Sequence, residues 1–320
     1  MHPITRRLLA STLLLLATTA AQAQAKPPLK ILVGFPPGGS ADVLARLVAD
    51  ALKDDFSPVV VDNKPGAGGR IALGMVKNAK PDGQTVLMAL SSVVVAPEAE
   101  KVSGRKPLNE LEQLEPIALL SSDPMVVLVR QDSPWRTLAD LVKAAKEKPG
   151  AINYSSSGNF GPIHLSVEML AHQAGIKLTQ VPFNGGGPSL LALLGGQVEL
   201  TTAAPAVALA QIQSGKVRPL ATSGTKRLPM LPEVPTYREA GYDAEFHIWA
   251  GLYAPAGTPA SVVSTLRDTV GRAVRSGAIA QAMQKQSIIF DYRDAPEFAR
   301  FAEEDRVRMT RVVRAIGKID

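Results

Sequence analysis

The chain has 320 residues, 46% of them hydrophobic and 5% aromatic, with no Cys and a formal charge of +6 from 35 Lys and Arg against 29 Asp and Glu. The lack of Cys excludes disulfides and thiolate metal sites, so an apolar core must hold the fold. The basic residues are scattered and aromatics are few, which excludes a nucleic-acid surface.

Arg6 and Arg7 precede an apolar run, Leu8 to Ala21, that ends in Ala21-Gln22-Ala23-Gln24-Ala25. A charged start, a short apolar stretch and small residues after it form the pattern of a cleavable secretory signal over residues 1–25. The run is shorter than the roughly 20 residues a helix needs to span a bilayer. No Cys stands at the cleavage site to take a lipid. Free export into a periplasm is therefore expected, with a mature chain of 295 residues from residue 26 onward. That length suits two lobes of ordinary size.

The mature sequence alternates short β-branched runs with helical patterns, the signature of an α/β fold whose sheets are read here as mostly parallel and flanked by helices. Lys30 to Phe35 (KILVGF) reads as a buried strand, followed by loop 36–40 and a helix with Leu44, Leu47, Val48 and Ala51 on one face. Val59 to Asp62 is a second strand, loop 63–69 follows, and a helix runs from Arg70 to Ala79. Pro81-Asp82-Gly83 turns into a third strand, Thr85 to Leu90. Thr137-x-x-Asp140 is a capping box opening a helix that turns Leu138, Leu141, Val142 and Ala145 inward. Ile152 to Ser155 is a strand, and loop 156–162 leads to a helix from Ile163 to Ala174 that Gly175 ends. Leu178 to Val181 is the next strand, before loop 183–187 and a helix beginning near Pro188.

Thr236-x-x-Glu239 reads as a capping box on a short helix, Phe246 to Ala254 as a long apolar strand, and about Pro259 to Ser276 and Pro296 to Ile316 as two closing helices. The last segment is too helix-rich to carry a sheet of its own and is expected to pack back on the first lobe. Residues 26–126 and 247–320 then make lobe 1 and residues 127–246 lobe 2. Met125 to Arg130 and Phe246 to Leu252 are the crossing strands, and a two-strand connection is a hinge.

In open parallel sheets a ligand sits beyond the carboxyl ends of the strands, at the N-termini of the following helices. Loops 36–40, 63–69, 156–162 and 183–187 occupy that position and are rich in Gly, Ser and Asn. Glycine admits close approach, and first-turn amides carry a partial positive charge, so an anion is the expected guest. Other chemistries lack their residues. A dinucleotide fingerprint would need Gly where Ile71 stands, no phosphate-binding Gly-x-x-x-x-Gly-Lys-Ser/Thr segment exists, and Gly38-Gly39-Ser40-Ala41-Asp42 lacks the second Gly of a nucleophile elbow. His164, Glu168 and His172 share a helix face without a fourth ligand and read as structural or solvent-facing. No catalytic residue, metal or cofactor is assigned.

Seven segments carry a more specific signal: Phe35 to Arg46 (FPPGGSADVLAR), Asn63 to Gly69 (NKPGAGG), Pro81-Asp82-Gly83, Ser156 to Leu165 (SSGNFGPIHL), Leu194 to Val198 (LGGQV), Leu231 to Gly241 (LPEVPTYREAG) and Trp249 to Pro259 (WAGLYAPAGTP). In order and spacing they resemble the extracytoplasmic receptors of the tripartite tricarboxylate transporters, the Bug proteins. The resemblance implies a type II periplasmic-binding-protein fold that grips a ligand carboxylate between two loops, one per lobe, without altering it. Carried over to this chain, the first loop is Phe35, Pro36, Gly38, Gly39, Ser40 and Asp42, and the second is Ser157, Gly158, Asn159 and Gly161, with His164 behind it. Gly66, Ala67, Gly68, Ser91 and Ser92 border the same cleft. Asp42 lies in a first helical turn, where a carboxylate equally serves the helix dipole.

Departures from the family pattern bear on specificity. Pro182-Phe183-Asn184-Gly185 stands where the family has Pro-Tyr-Lys-Gly, so a hydroxyl and an ammonium are missing beside the cleft, where Asn184 and Gly185 are expected as contacts. Glu199 replaces an Asp, and Thr201 to Ala204 (TTAA) falls where relatives vary their contacts to the far end of the ligand. A ligand body less charged or more apolar than a tricarboxylate is expected. The resemblance also implies a monomer that binds a small organic acid and docks transiently on integral membrane transporter subunits. A membrane signalling protein is the alternative partner.

Overall fold

The computed structural model describes residues 26–318; the secretory signal read at residues 1–25 lies outside them. Two sheets organise the chain. The first begins as βα units: β1 (Leu29–Val33), α1 (Ser40–Leu52), β2 (Val59–Asn63), α2 (Arg70–Lys77), β3 (Thr85–Leu90) and α3 (Ser92–Val102). Leu29, Ile31, Leu32 and Val33 are all buried, as a strand covered by helices on both faces requires. The inner face of α1 is Leu44, Ala45, Val48 and Leu52, with Leu47 and Ala51 half-buried beside it, so the helix is turned slightly from the face read in the sequence.

The chain leaves this sheet through β4 (Leu114–Pro124) and enters the second through β5 (Val126–Arg130), crossing at Met125. The second lobe contains α4 (Leu138–Glu147), β6 (Asn153–Ser156), α5 (Pro162–Ala174), β7 (Thr179–Pro182), α6 (Gly186–Leu194), β8 (Leu200–Ala203), α7 (Pro205–Gln213) and β9 (Val217–Thr222). Return is through β10 (His247–Pro255), followed by α8 (Ala260–Arg275), α9 (Ala278–Lys285), β11 (Phe290–Asp294) and α10 (Ala295–Ile316). The first sheet has the order β11-β4-β10-β3-β1-β2 and the second β7-β6-β8-β5-β9. Among the described residues no helix is long and apolar enough to cross a membrane.

Both sheets are mixed rather than mostly parallel. β1 pairs in parallel with β2 and β3, and β6 with β7 and β8, while β10 runs antiparallel to β3 and β4, and β5 antiparallel to β8 and β9. The crossings impose this. Pro124 at the end of β4 is paired with His247 at the start of β10, so one strand leaves the sheet where the other enters it and their directions must oppose. Thr236 and Glu239 do form the reciprocal bonds of a capping box, but they close a turn and no helix follows.

The C-terminal segment packs on the first sheet. β11 pairs with β4, and α10 packs against α3 and β4. At its centre the buried Trp249 indole donates to Asp305 Oδ2 at 2.7 Å, while Arg308 holds the other oxygen at 2.6 Å. Trp249 also meets Phe298 edge-on at 5.6 Å.

Ser223 ties the two crossings together. Its hydroxyl accepts from Met125 N–H at 2.8 Å and donates to Phe246 O, its own amide donates to Met125 O at 2.9 Å, and its carbonyl accepts from Phe246 N–H at 2.9 Å. Ser223→Ala leaves the backbone pairs but strands a buried amide and a buried carbonyl, a cost of roughly 1–3 kcal/mol. Thermal melts of this variant should fall below the wild type by several degrees, with the β10 core intact by near-UV circular dichroism.

Candidate ligand-binding site

Loop 36–40 is held by its own acid. Gly38, at φ +82°, aims its amide at Asp42 Oδ2 (3.0 Å). Arg46 reaches the same oxygen at 3.1 Å and Oδ1 at 2.9 Å, and Asn63 bridges Asp42 Oδ1 (3.0 Å) to the Phe35 carbonyl (2.9 Å). Burial opposes ionisation of Asp42, but the bonds from Arg46, Gly38 and Asn63 together hold its carboxyl below the ordinary value. Asp42 is therefore a buried brace for the loop. Gly39 is the N-cap of α1 and contributes no capping side chain, so no group of the helix itself satisfies the first-turn amides of Ser40 and Ala41.

Loop 156–162 is built differently, because most of its amides are satisfied internally. Gly158 N–H reaches Ser156 Oγ at 3.3 Å, Phe160 N–H reaches His164 Nδ1 at 3.1 Å, Gly161 N–H reaches Gly158 O at 3.0 Å, and Ile163 N–H reaches Ser157 Oγ at 3.3 Å. Pro162, the first residue of α5, has no amide hydrogen to offer. The Ser157 hydroxyl accepts from Ile163 and keeps its own hydrogen for another partner. The Asn159 side chain accepts from Gln180 at 3.1 Å. His164 is buried between Tyr154, stacked at 6.3 Å, and Phe160, edge-on at 5.6 Å. Glu168 accepts from the Tyr154 hydroxyl at 2.6 Å, so neither His164 nor Glu168 is free to join His172 at a metal, and no group of three His, Asp or Glu that could hold one occurs among the described residues.

Between the lobes lies a cavity with about 410 Å³ of space between atoms, part of it open to solvent. Lobe 1 lines it with Phe35, Gly39, Ser40, Ala41 and Leu90, the crossing segments with Met125 and Ile248. The second sheet and its helices contribute Ser157, Pro162, Ile163, Gly186, Ala203, Ala204 and Val207. Of the residues read from the sequence as contacts, Phe35, Gly39, Ser40 and Ser157 line this cavity. Pro36 and Gly185 instead meet each other, since a Cβ on Gly185 would stand 2.9 Å from Pro36 Cδ. Gly68 faces Asn159 and Gly158 across the lobes, with a Cβ on either one 3.8 Å from the facing backbone. Gly66, Ala67, Gly68 and Asn184 are thus placed at or beside the rims where the lobes meet.

Ser92 donates to Gly68 O at 3.0 Å and fixes that rim, and Ser91 is buried with its amide on Trp249 O at 3.0 Å. Gly161 is spaceless for another reason: a Cβ there would lie 2.5 Å from Ser157 Oγ and 2.8 Å from Ser157 O. The sequence reading passed over the apolar lining. Met125 and Ile248 lie on segments it recognised as crossings, and Ala203 and Ala204 in the atypical TTAA stretch, but an apolar residue carries no signal that separates a cleft wall from a core.

Burial lowers the His164 pKa from 6.5 to about 4. The folded chain therefore keeps this imidazole neutral while the unfolded chain protonates it between pH 6.5 and 4, so stability falls as the pH drops through that window, by about 3 kcal/mol in all. His164→Asn retains an acceptor for Phe160 N–H and removes the titration. Its urea-unfolding free energy should lose about 3 kcal/mol less than the wild type between pH 7 and 4.

Comparison with known proteins agrees with this architecture. Residues 44–318 match the family model described as the tripartite tricarboxylate transporter family receptor. The chain is similar to the solved periplasmic binding protein BugD (29% identity, covering 92% of this chain and 99% of that one, TM-score 0.83). It is also similar to a Rhodopseudomonas palustris protein solved with adipate (28%, 91% and 97%, TM-score 0.84) and to MatC of Rhodopseudomonas palustris with bound malate (28%, 90% and 99%, TM-score 0.82). A match across most of the chain, on a two-lobed α/β fold with a cleft between helix N-termini, makes this protein a member of the tripartite tricarboxylate transporter receptor family.

Proposed function

We propose that this protein is an exported, monomeric receptor that captures a small organic carboxylate by closing residues 26–126 and 247–320 against residues 127–246, and hands it unchanged to membrane transporter subunits. One observation carries the reading: the uncapped first turn of α1 and the Ser157 hydroxyl before α5 come from opposite lobes and line the same cavity. A carboxylate between them accepts from the Ser40 and Ala41 amides and from the hydroxyls of Ser40 and Ser157. Each such bond contributes roughly 1.5–3 kcal/mol, so four bring the total to the range of micromolar binding, about 8 kcal/mol, after ordering costs. The adipate and malate held by the two Rhodopseudomonas palustris proteins support a carboxylate as the guest. Release without chemistry accords with the lining, in which no His, Asp, Glu, Lys or Cys stands beside Ser40 or Ser157 to activate either hydroxyl.

Gly39 provides the test. Its φ of −82° is ordinary for any residue, and an added Cβ would meet only Pro36 O, at 3.6 Å. Gly39→Val should therefore leave the ligand-free melting temperature within about 2 °C of wild type while placing a branched side chain beside the α1 amides. In a thermal-shift panel of organic acids and their amides, acids should raise the melting temperature and amides should not. The variant should lose at least about tenfold in affinity, the equivalent of one such hydrogen bond. Undiminished affinity in the variant, or shifts by amides alone, would overturn the proposal.

A further inference from the structure

Apart from Ser40 and Ser157, every residue that lines the cavity has an apolar side chain or none. Away from those two serines it is walled by Leu90 at the end of β3, Met125 and Ile248 at the crossings, Ala203 and Ala204 at the end of β8, and Val207 in the first turn of α7. No lining residue is ionisable, of either sign. The charged residues at the start of α1 and α2 are already paired and lie outside the lining: Asp42 with Arg46 at 2.9 Å, and Arg70 with Glu100 at 3.8 Å. α7 points its N-terminus at the cavity through Ala204 and Val207, yet Pro205 occupies its first position and Ala204 offers no capping side chain. That helix end has lost its first donor, whereas α1 keeps the Ser40 and Ala41 amides, and the uncapped α6 end at Gly186 stands on the α1 side of the cavity, because Gly185 meets Pro36 there.

We infer that the ligand is a monocarboxylate with an apolar body, and that Ala203, Ala204 and Val207 set this preference. The inference rests on the carboxylate reading above and narrows it. A second carboxylate, or the ammonium of an amino acid, would be buried against methyl groups with no charged side chain to pair with, which is a costly way to desolvate a charge. The apolar body of a monocarboxylate loses water against the same surface at a gain.

The test is calorimetric titration of the signal-free protein with isovalerate, hexanoate and benzoate against succinate, malate, adipate and an α-amino acid. At least one monocarboxylate should bind about 100-fold more tightly than any of the doubly charged or zwitterionic ligands. Ala204 has ordinary backbone angles, φ −65° and ψ 151°, so no backbone strain opposes a substitution there, and it lines the cavity into which a longer side chain would extend. Ala204→Arg should supply the missing partner and shift the preference toward dicarboxylates by at least about tenfold. Val207→Lys, at a half-buried site in the same turn, makes the same test should the first variant fail to fold, as judged by its ligand-free melting temperature. Dicarboxylates that bind wild type as well as or better than every monocarboxylate would overturn this inference and leave the carboxylate reading standing. Binding by no acid at all would overturn the carboxylate reading itself. Folded variants with an unchanged preference would overturn the assignment of specificity to these residues, and if neither variant folds the wild-type panel still decides the ligand class.

Discussion

Helix N-termini from both lobes converge on one space whose walls carry no formal charge. α1, α5, α6 and α7 each follow a strand and each begin at this cavity, through Ser40, Pro162, Gly186 and Ala204 respectively. Their dipoles add a positive potential there without any Lys or Arg. A basic side chain would attract anions more strongly, but it would carry a hydration shell into the cleft and move with its own rotamers. Backbone amides are fixed by the fold, so the potential is already in place before the ligand arrives.

These four helix ends are not equivalent, and glycine and proline decide the difference. Gly39 leaves the α1 amides uncapped, and Gly185 does the same for α6. Pro162 and Pro205 remove the first donor of α5 and α7. Three glycines serve closure. Gly68, Gly158 and Gly185 have φ values of +66°, +93° and +121° and stand where the two lobes approach within van der Waals distance, so both the conformation and the missing Cβ are needed. Loops that look alike in sequence, four runs of Gly with Ser or Asn after a strand, thus divide into anchors and rims.

That division explains what the sequence could and could not tell. Local patterns were legible wherever one interaction fixes one element: the Thr137 capping box forms both its bonds, Gly175 ends α5 in the left-handed conformation, and Leu44 and Val48 face the core. α3 was missed because Val93, Val94 and Val95 followed by Pro97 imitate a strand and a turn, and only packing against α10 makes the segment helical. β4 was missed because Pro116 and the polar Ser121, Ser122 and Asp123 break its apolar pattern. Those residues are tolerated where they stand: Asp123 is buried at the crossing, accepts from Ile289 N–H at 2.7 Å, and is pushed by burial up to about 7 although that bond and Ser121 act the other way. In the site, Asp42 and His164 were visible as polar residues near the loops, but their roles as braces depend on partners 21 residues away at Asn63 and on the Phe160 amide.

Closure of the cleft follows from the same accounting of partners. Among the described residues, the ion pairs and side-chain hydrogen bonds found lie within a lobe or at the crossings, and what joins the lobes elsewhere is apolar: Phe160, Ile163, Leu165 and Ala204 of the second lobe belong to the same buried cluster as the first-sheet core. Apolar contact favours closing whatever the ligand, and therefore cannot by itself make closing selective. The α1 amides can. If the cleft closes with nothing between the lobes, the Ser40 and Ala41 amides lose water without gaining an acceptor, at roughly 1–3 kcal/mol each. An anion removes that penalty and a neutral ligand of the same shape does not, so its affinity for the closed form exceeds its affinity for the open form by about that amount. A ligand shifts an equilibrium only by its differential affinity for the two states, and here the differential resides in donors that the helix leaves without partners.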